Sequence, residues 1–132
     1  MTLLLMLAAC AKYPEPEGPP PDFESGAEFI SADVVAAELA AGAGFYFLDA
    51  RPPADYALEH ITTAISTPFY EIADHAGLIE PGYWIITYCA CPHSESGIVA
   101  EYMRGQGHED VAVLNEGFLY WRDQGYPTET GD

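Results

Sequence analysis

Cys89, Cys91 and His93 stand within five residues of one another in C-A-C-P-H, between an apolar run and a helix-forming run. Two soft sulfurs and an imidazole at this spacing can do several kinds of chemistry. A thiolate on Cys89 can act as a nucleophile, with Cys91 as a second thiol that closes a disulfide or resolves an adduct. The same three side chains also form a weak metal set, suited to Cu(I) or zinc but short of a fourth ligand. A buried cysteine that only fills space is the plain alternative for Cys89.

The elements around the pair favour chemistry. Trp84 to Tyr88, W-I-I-T-Y, is β-branched and aromatic with no polar alternation, the mark of a strand buried on both faces of a parallel sheet. Cys89 stands at its carboxyl end. Pro92, Ser94 and Ser96 read as strand breakers, and helical character is clear from Ile98 to Arg104. The nine residues Cys89 to Gly97 are therefore expected as a loop leading to a helix N-terminus, with Ala90, Pro92, His93, Ser94, Glu95, Ser96 and Gly97 around the sulfur. Ligands bind at such a place in open α/β sheets, and backbone N–H groups there favour an anion or a thiolate.

At 132 residues, with 49% hydrophobic and 13% aromatic content, the chain has material for one domain with its own core. Asp and Glu number 21 against 4 Lys and Arg, for a net charge of −17. Such a surface excludes nucleic acid and anionic lipid as natural partners and repels small anions at long range. No feature calls for a cofactor, and a monomer is expected.

In chain order, Met1 to Cys10 is an apolar segment ending L-A-A-C. It resembles the lipobox of bacterial lipoprotein signals, which implies lipidation of Cys10 and a domain held in the cell envelope outside the cytoplasm, touching membrane only through the anchor. The apolar part is short and has no basic residue before it. Residues 11–26 are rich in Pro, Glu and Gly, expected as an acidic tether that buries no core. The domain is expected over 27–132. Glu28 to Ile30 reads as a first strand, Ser31 as an N-cap, and the stretch from Ala32 to Gly42 as a helix with its stop. Strands follow at Phe45–Leu48, Ala64–Ser66, Trp84–Tyr88 and Val111–Leu114, with helices at Ala54–Glu59, Phe69–Ala76, Glu95–Arg104 and Gly117–Asp123. Strands alternating with helices call for an α/β fold, its sheet mostly parallel and covered on both faces.

Three blocks then carry a family resemblance. Asp49, Arg51, Tyr56, Glu59-His60-Ile61 and Ala64 come first, I-I-T-Y-C second, and Gly117, Trp121, Gly125 and Pro127 third. In this order and spacing the chain resembles a rhodanese-like domain over about residues 28 to 128. The resemblance implies five parallel strands between helices and a sulfurtransferase, with Cys89 carrying a persulfide between a small sulfur donor and a thiol acceptor or a partner protein. Asp49 and Arg51 could pair to brace the loop, and His60 is expected to hydrogen-bond backbone rather than act as a base.

Two departures matter. Glu116 stands where the family usually has a glycine. From Cys89 five residues intervene before Glu95, the position at which a phosphatase-like version of the loop has an arginine. A carboxylate about 6 Å from the thiolate, at an effective dielectric of about 20, would cost about 2.8 kcal/mol, or roughly two pKa units. The helix end offers only about half a unit charge in return. Glu95 is therefore expected to turn outward, and no cation remains in the loop for phosphoryl chemistry. Three readings stay open: sulfurtransferase, C-x-C thiol-disulfide oxidoreductase, and a non-catalytic module that binds a metal or a partner.

Overall fold

Each apolar run expected to be a strand sends alternate side chains to opposite faces, so a sheet built from them needs cover on both sides. The computed structural model describes residues 12–90 and 93–132 and shows that arrangement. Strands β1 (Phe29–Ile30), β2 (Tyr46–Asp49), β4 (Ile65–Ser66), β5 (Ile85–Tyr88) and β6 (Val111–Leu114) form one sheet in the order β1-β6-β5-β2-β4. All four pairings are parallel. A separate antiparallel pair joins β3 (His60–Ile61) to β7 (Thr128–Glu129). The α/β architecture with five parallel strands is as expected; the β3–β7 pair was not foreseen.

Helices α1 (Ala32–Ala40) and α5 (Gly117–Asp123) cover one face, and α3 (Ile72–Ala76) and α4 (Ser94–Gly105) the other. A short helix α2 (Pro53–Leu58) follows β2, and a 3-10 turn over Phe69–Glu71 leads into α3. On the first face Phe47, Ile86, Tyr88 and Leu114 meet Val35, Phe118 and Trp121. On the second Leu48, Ile85 and Val113 meet Ile72, Val99 and Met103, and Cys89 belongs to this cluster. Ser31 caps α1 as expected, its hydroxyl accepting from the Val34 N–H at 3.3 Å. Gly42 takes φ 82° just past the helix. That conformation is open to glycine at little cost.

Two expectations are corrected. Helix α4 starts at Ser94, so the loop after Cys89 runs only to His93, not to Gly97. Ser94 and Ser96 read as strand breakers, yet serine and an acid such as Glu95 suit a first turn. The proline-rich stretch does not stand off as a tether. From Lys12 onward it lies along the domain: the Tyr13 N–H donates to the Leu78 carbonyl at 2.9 Å and the Gly44 N–H to that of Pro19 at 2.8 Å. Phe23 is 7% exposed, edge-on to Phe45 and Trp84. Burying one such ring is worth about 1.5–3 kcal/mol, enough to dock a segment whose prolines leave it little entropy to lose. A Cβ on Gly44 would lie 2.8 Å from the Glu17 carbonyl oxygen, so the close pass of the two backbones requires glycine. No helix among the described residues is long and apolar enough to cross a membrane. The anchor position Cys10 lies outside them.

Candidate active site at the end of the central strand

β5 is the middle strand of the sheet, and Cys89 follows it at 1% exposure. Its thiol donates to the Ser96 hydroxyl at 3.2 Å. Ser96 is itself fully buried in the first turn of α4, and its carbonyl accepts from the Thr87 hydroxyl at 2.9 Å. The sulfur therefore sits beside the positive end of a helix, between a strand and a helix held to each other by a buried hydrogen bond.

Asp49 ends β2, in register with Tyr88 on β5. Arg51 folds back on it: its Nε donates to Oδ1 at 3.0 Å and its Nη2 to Oδ2 at 2.7 Å. The Arg51 backbone N–H donates to Oδ1 as well, and Nη2 also donates to the Glu59 carbonyl at 2.7 Å. The Tyr88 hydroxyl gives its proton to Asp49 Oδ2 at 2.9 Å and accepts from the Ile61 N–H. The guanidinium rests 4.0 Å from the centre of the Phe118 ring. Burial works against the Arg51 charge, but the hydrogen bonds and charge of Asp49 outweigh it and raise the pKa. Burial also pushes the Tyr88 phenol well above its ordinary value, with the Asp49 charge adding to it, so the phenol remains a donor. Asp49 and Arg51 do pair, and the network reaches the loop through main chain. Tyr88 precedes Cys89, and the Phe118 N–H donates to the Cys89 carbonyl at 2.9 Å.

His93 is exposed, with Nε2 3.0 Å from the Asn115 carbonyl oxygen and its ring 4.3 Å from that of Phe29. A carbonyl can only accept, so Nε2 carries the proton and is committed there. Glu95 is half-exposed in the first turn of α4 and keeps contact with water. Ala90, next to the sulfur-bearing residue, opens on a cavity of about 260 Å³. Cys91 and Pro92 lie outside the described residues, and so does the metal alternative that needs Cys91. Among the described residues no cluster of His, Cys, Asp and Glu is arranged to hold a metal ion. His60 has Nδ1 2.8 Å from the Tyr56 carbonyl, the backbone bond expected of it, and stacks on the Tyr56 ring at 3.7 Å.

Two residues escaped the sequence reading. Tyr88 was seen only as a strand residue; its phenol joins Asp49 to Ile61, which needs the β2–β5 register to be known. Glu116 was seen only as a departure. Both its carboxylate oxygens accept from the Ala32 N–H, at 3.1 and 2.9 Å, so it serves the open N-terminus of α1. An acid at that position, in a chain whose β1 pairs with β6, was the signal.

Comparison with known proteins agrees with this geometry. A family model for the rhodanese-like domain matches residues 31–124. The thiosulfate sulfurtransferase GlpE of Pseudomonas putida is 36% identical over 99 residues, a match covering 72% of this chain and 84% of that protein. The GlpE of Pseudomonas entomophila is 36% identical over 91 residues, covering 66% and 78%. Among solved structures, a rhodanese-like domain from Anabaena aligns with a TM-score of 0.72 at 29% identity, covering 79% of this chain and 80% of that one. A thiosulfate sulfurtransferase from Pseudomonas aeruginosa aligns at 0.65 and 29% identity, over 79% of this chain and 20% of that one.

Proposed function

The chain belongs to the rhodanese-like domain family, and from that premise we propose that it is a sulfurtransferase carrying sulfane sulfur as a persulfide on Cys89. The observation that supports it most is the sulfur's position: at the end of the central strand, 3.2 Å from Ser96 Oγ in the first turn of α4. In the first half-reaction the Cys89 thiolate attacks the outer sulfur of the donor. The donor's S–S bond breaks, its remainder leaves as an anion, and Cys89–S–S⁻ forms. In the second, an acceptor thiolate takes that outer sulfur and the Cys89 thiolate leaves. Each step exchanges one S–S bond for another, so no outside oxidant is needed. Once Cys89 has lost its proton, the Ser96 hydroxyl turns from acceptor to donor, and the helix end stabilises the anion. Asp49 and Arg51 hold the strand end and the loop in place rather than touch the sulfur.

The test is intact mass after incubation with a sulfane-sulfur donor and removal of excess. A gain of about 32 Da that maps to the Cys89 peptide is expected, and Cys91→Ser should keep it. A loss of about 2 Da on oxidation, with no sulfur adduct from any donor, would instead establish a Cys89–Cys91 disulfide and the oxidoreductase reading.

We propose as well that lipid on Cys10 holds the domain in the cell envelope, a reading supported by the L-A-A-C pattern alone. Labelled fatty acid should enter the full chain in a bacterial host and be absent from Cys10→Ser; equal labelling of both would remove the anchor from the proposal.

A further inference from the structure

Single exposed apolar side chains are ordinary on a protein surface, but two large ones here share one groove. Phe29, on the edge strand β1, is 41% exposed, and Ile98, on α4, is 48% exposed. Both line a groove of about 630 Å³ between that strand and that helix. Two further lining residues relate it to the sulfur. His93, whose ring packs on Phe29, is the last residue of the loop that begins at Cys89. Val113 belongs to the same buried cluster as Cys89, so the groove lies on the sulfur's side of the sheet. Glu28 and Glu101 stand exposed on its walls. The cation on the walls, Arg104, sits at the other end of α4 from the loop, and its Nη2 donates to the Val111 carbonyl at 3.0 Å.

The second half-reaction brings two anions together, the Cys89 persulfide and an acceptor thiolate, on a chain of net charge −17. The chain has 4 Lys and Arg, and each is already engaged: Lys12 by Glu80, Arg51 by Asp49, Arg122 by Asp123 and Arg104 by a main-chain carbonyl. A cation that offsets the repulsion therefore comes best with the acceptor. A second copy of this chain is the wrong partner, because it brings the same excess of acid to the groove. Resting on the sulfurtransferase reading, we propose that the groove between β1 and α4 docks a protein acceptor through a cationic segment with apolar side chains beside its thiol. The apolar side chains cover Phe29 and Ile98, the lysines or arginines meet Glu28 and Glu101, and the thiolate reaches the loop past His93. There it forms a bond to the outer sulfur of Cys89–S–S⁻, the S–S bond breaks, and the Cys89 thiolate leaves while the acceptor keeps the persulfide.

The full chain is loaded with sulfur from polysulfide, excess donor is removed, and departure of the sulfur is followed by mass. The acceptors are the blocked pentapeptide Lys-Leu-Cys-Leu-Lys, its counterpart Glu-Leu-Cys-Leu-Glu, and 2-mercaptoethanol. At equal, limiting concentrations the basic peptide should react about tenfold faster than the acidic one. Ile98→Ser should lower the ratio of the basic-peptide rate to the 2-mercaptoethanol rate by about tenfold, the scale of one lost apolar anchor. Glu101→Gln should lower it by about threefold, the scale of one exposed charge pair, and by more than Asp74→Asn, which makes the same change in net charge on α3. Equal rates for the two peptides, an Ile98→Ser ratio like that of the native chain, or equal effects of Glu101→Gln and Asp74→Asn overturn the docking surface. A dimer in sedimentation that Ile98→Ser dissolves gives the groove to a second copy and overturns the partner assignment. Sulfur that loads but passes to 2-mercaptoethanol alone overturns the docking and leaves sulfur transfer intact; sulfur that never loads overturns both.

Discussion

Cys89→Ser should take up no sulfane sulfur from any donor and lose roughly 10³-fold or more in turnover, the cost of deleting a covalent nucleophile. A serine hydroxyl at this place can still hydrogen-bond Ser96, whose Oγ lies 3.2 Å from the native sulfur, so the fold has little reason to change. The substitution is nearly isosteric in a site that is 1% exposed, and the cluster of Leu48, Val99 and Met103 around it should stay packed. Loss of turnover with an unchanged unfolding midpoint is thus the expected pair of results. Chemistry alone separates the two side chains: at neutral pH a thiol yields a useful fraction of thiolate and an alkyl hydroxyl does not. Sulfur uptake that persisted in Cys89→Ser would move the carrier to Cys91. Uptake lost together with several degrees of thermal stability would mean that Cys89 is a packing residue first.

What could be read in the chain follows the range of the interactions. Val111–Leu114 and Gly117–Asp123 were read to the residue, because each is a short apolar or amphipathic run bounded by polar punctuation. Helix α1 was legible from Ser31 at one end and Gly42 at the other. Pairings between distant residues were not. Strand β3 and strand β7 are two residues each, too short for any periodicity, and their pairing sets His60 against Glu129, far along the chain. The docked segment from Lys12 was hidden by its composition: prolines and acids dominate it, and the two aromatic rings that hold it, Tyr13 and Phe23, find their partners on Leu78, His75, Phe45 and Trp84. A truncation made at Ala27 on the strength of that composition would strip Phe23 from the core. In the site, Asp49 and Arg51 stand two residues apart and their pairing was open to inspection; the Tyr88 phenol and the Glu116 cap depend on strand register and were not.

That buried pair is where a change remote from the sulfur should do most damage. Arg51→Ala should lower the unfolding free energy by about 3–5 kcal/mol, because it leaves the Asp49 carboxylate fully buried without its counter-charge. The Tyr88 hydroxyl and the backbone N–H of residue 51 still donate to that carboxylate, which keeps the loss from being larger. The guanidinium also donates to the Glu59 carbonyl and covers the face of Phe118, so the variant gives up packing as well as charge. Against a total stability of about 5–15 kcal/mol for a domain, a loss of this size need not unfold the chain at low temperature, and denaturant midpoints can measure it. A second variant isolates the charge. Asp49→Asn combined with Arg51→Met removes both ions while keeping much of the volume, and it should be less destabilised than Arg51→Ala alone, since no charge is then left buried. The double variant should still turn over more slowly than the native chain, because the network from Asp49 through Tyr88 and Phe118 sets the position of the Cys89 main chain. A loss below about 1 kcal/mol for Arg51→Ala would place the pair among surface ion pairs in energy and deny it the bracing role.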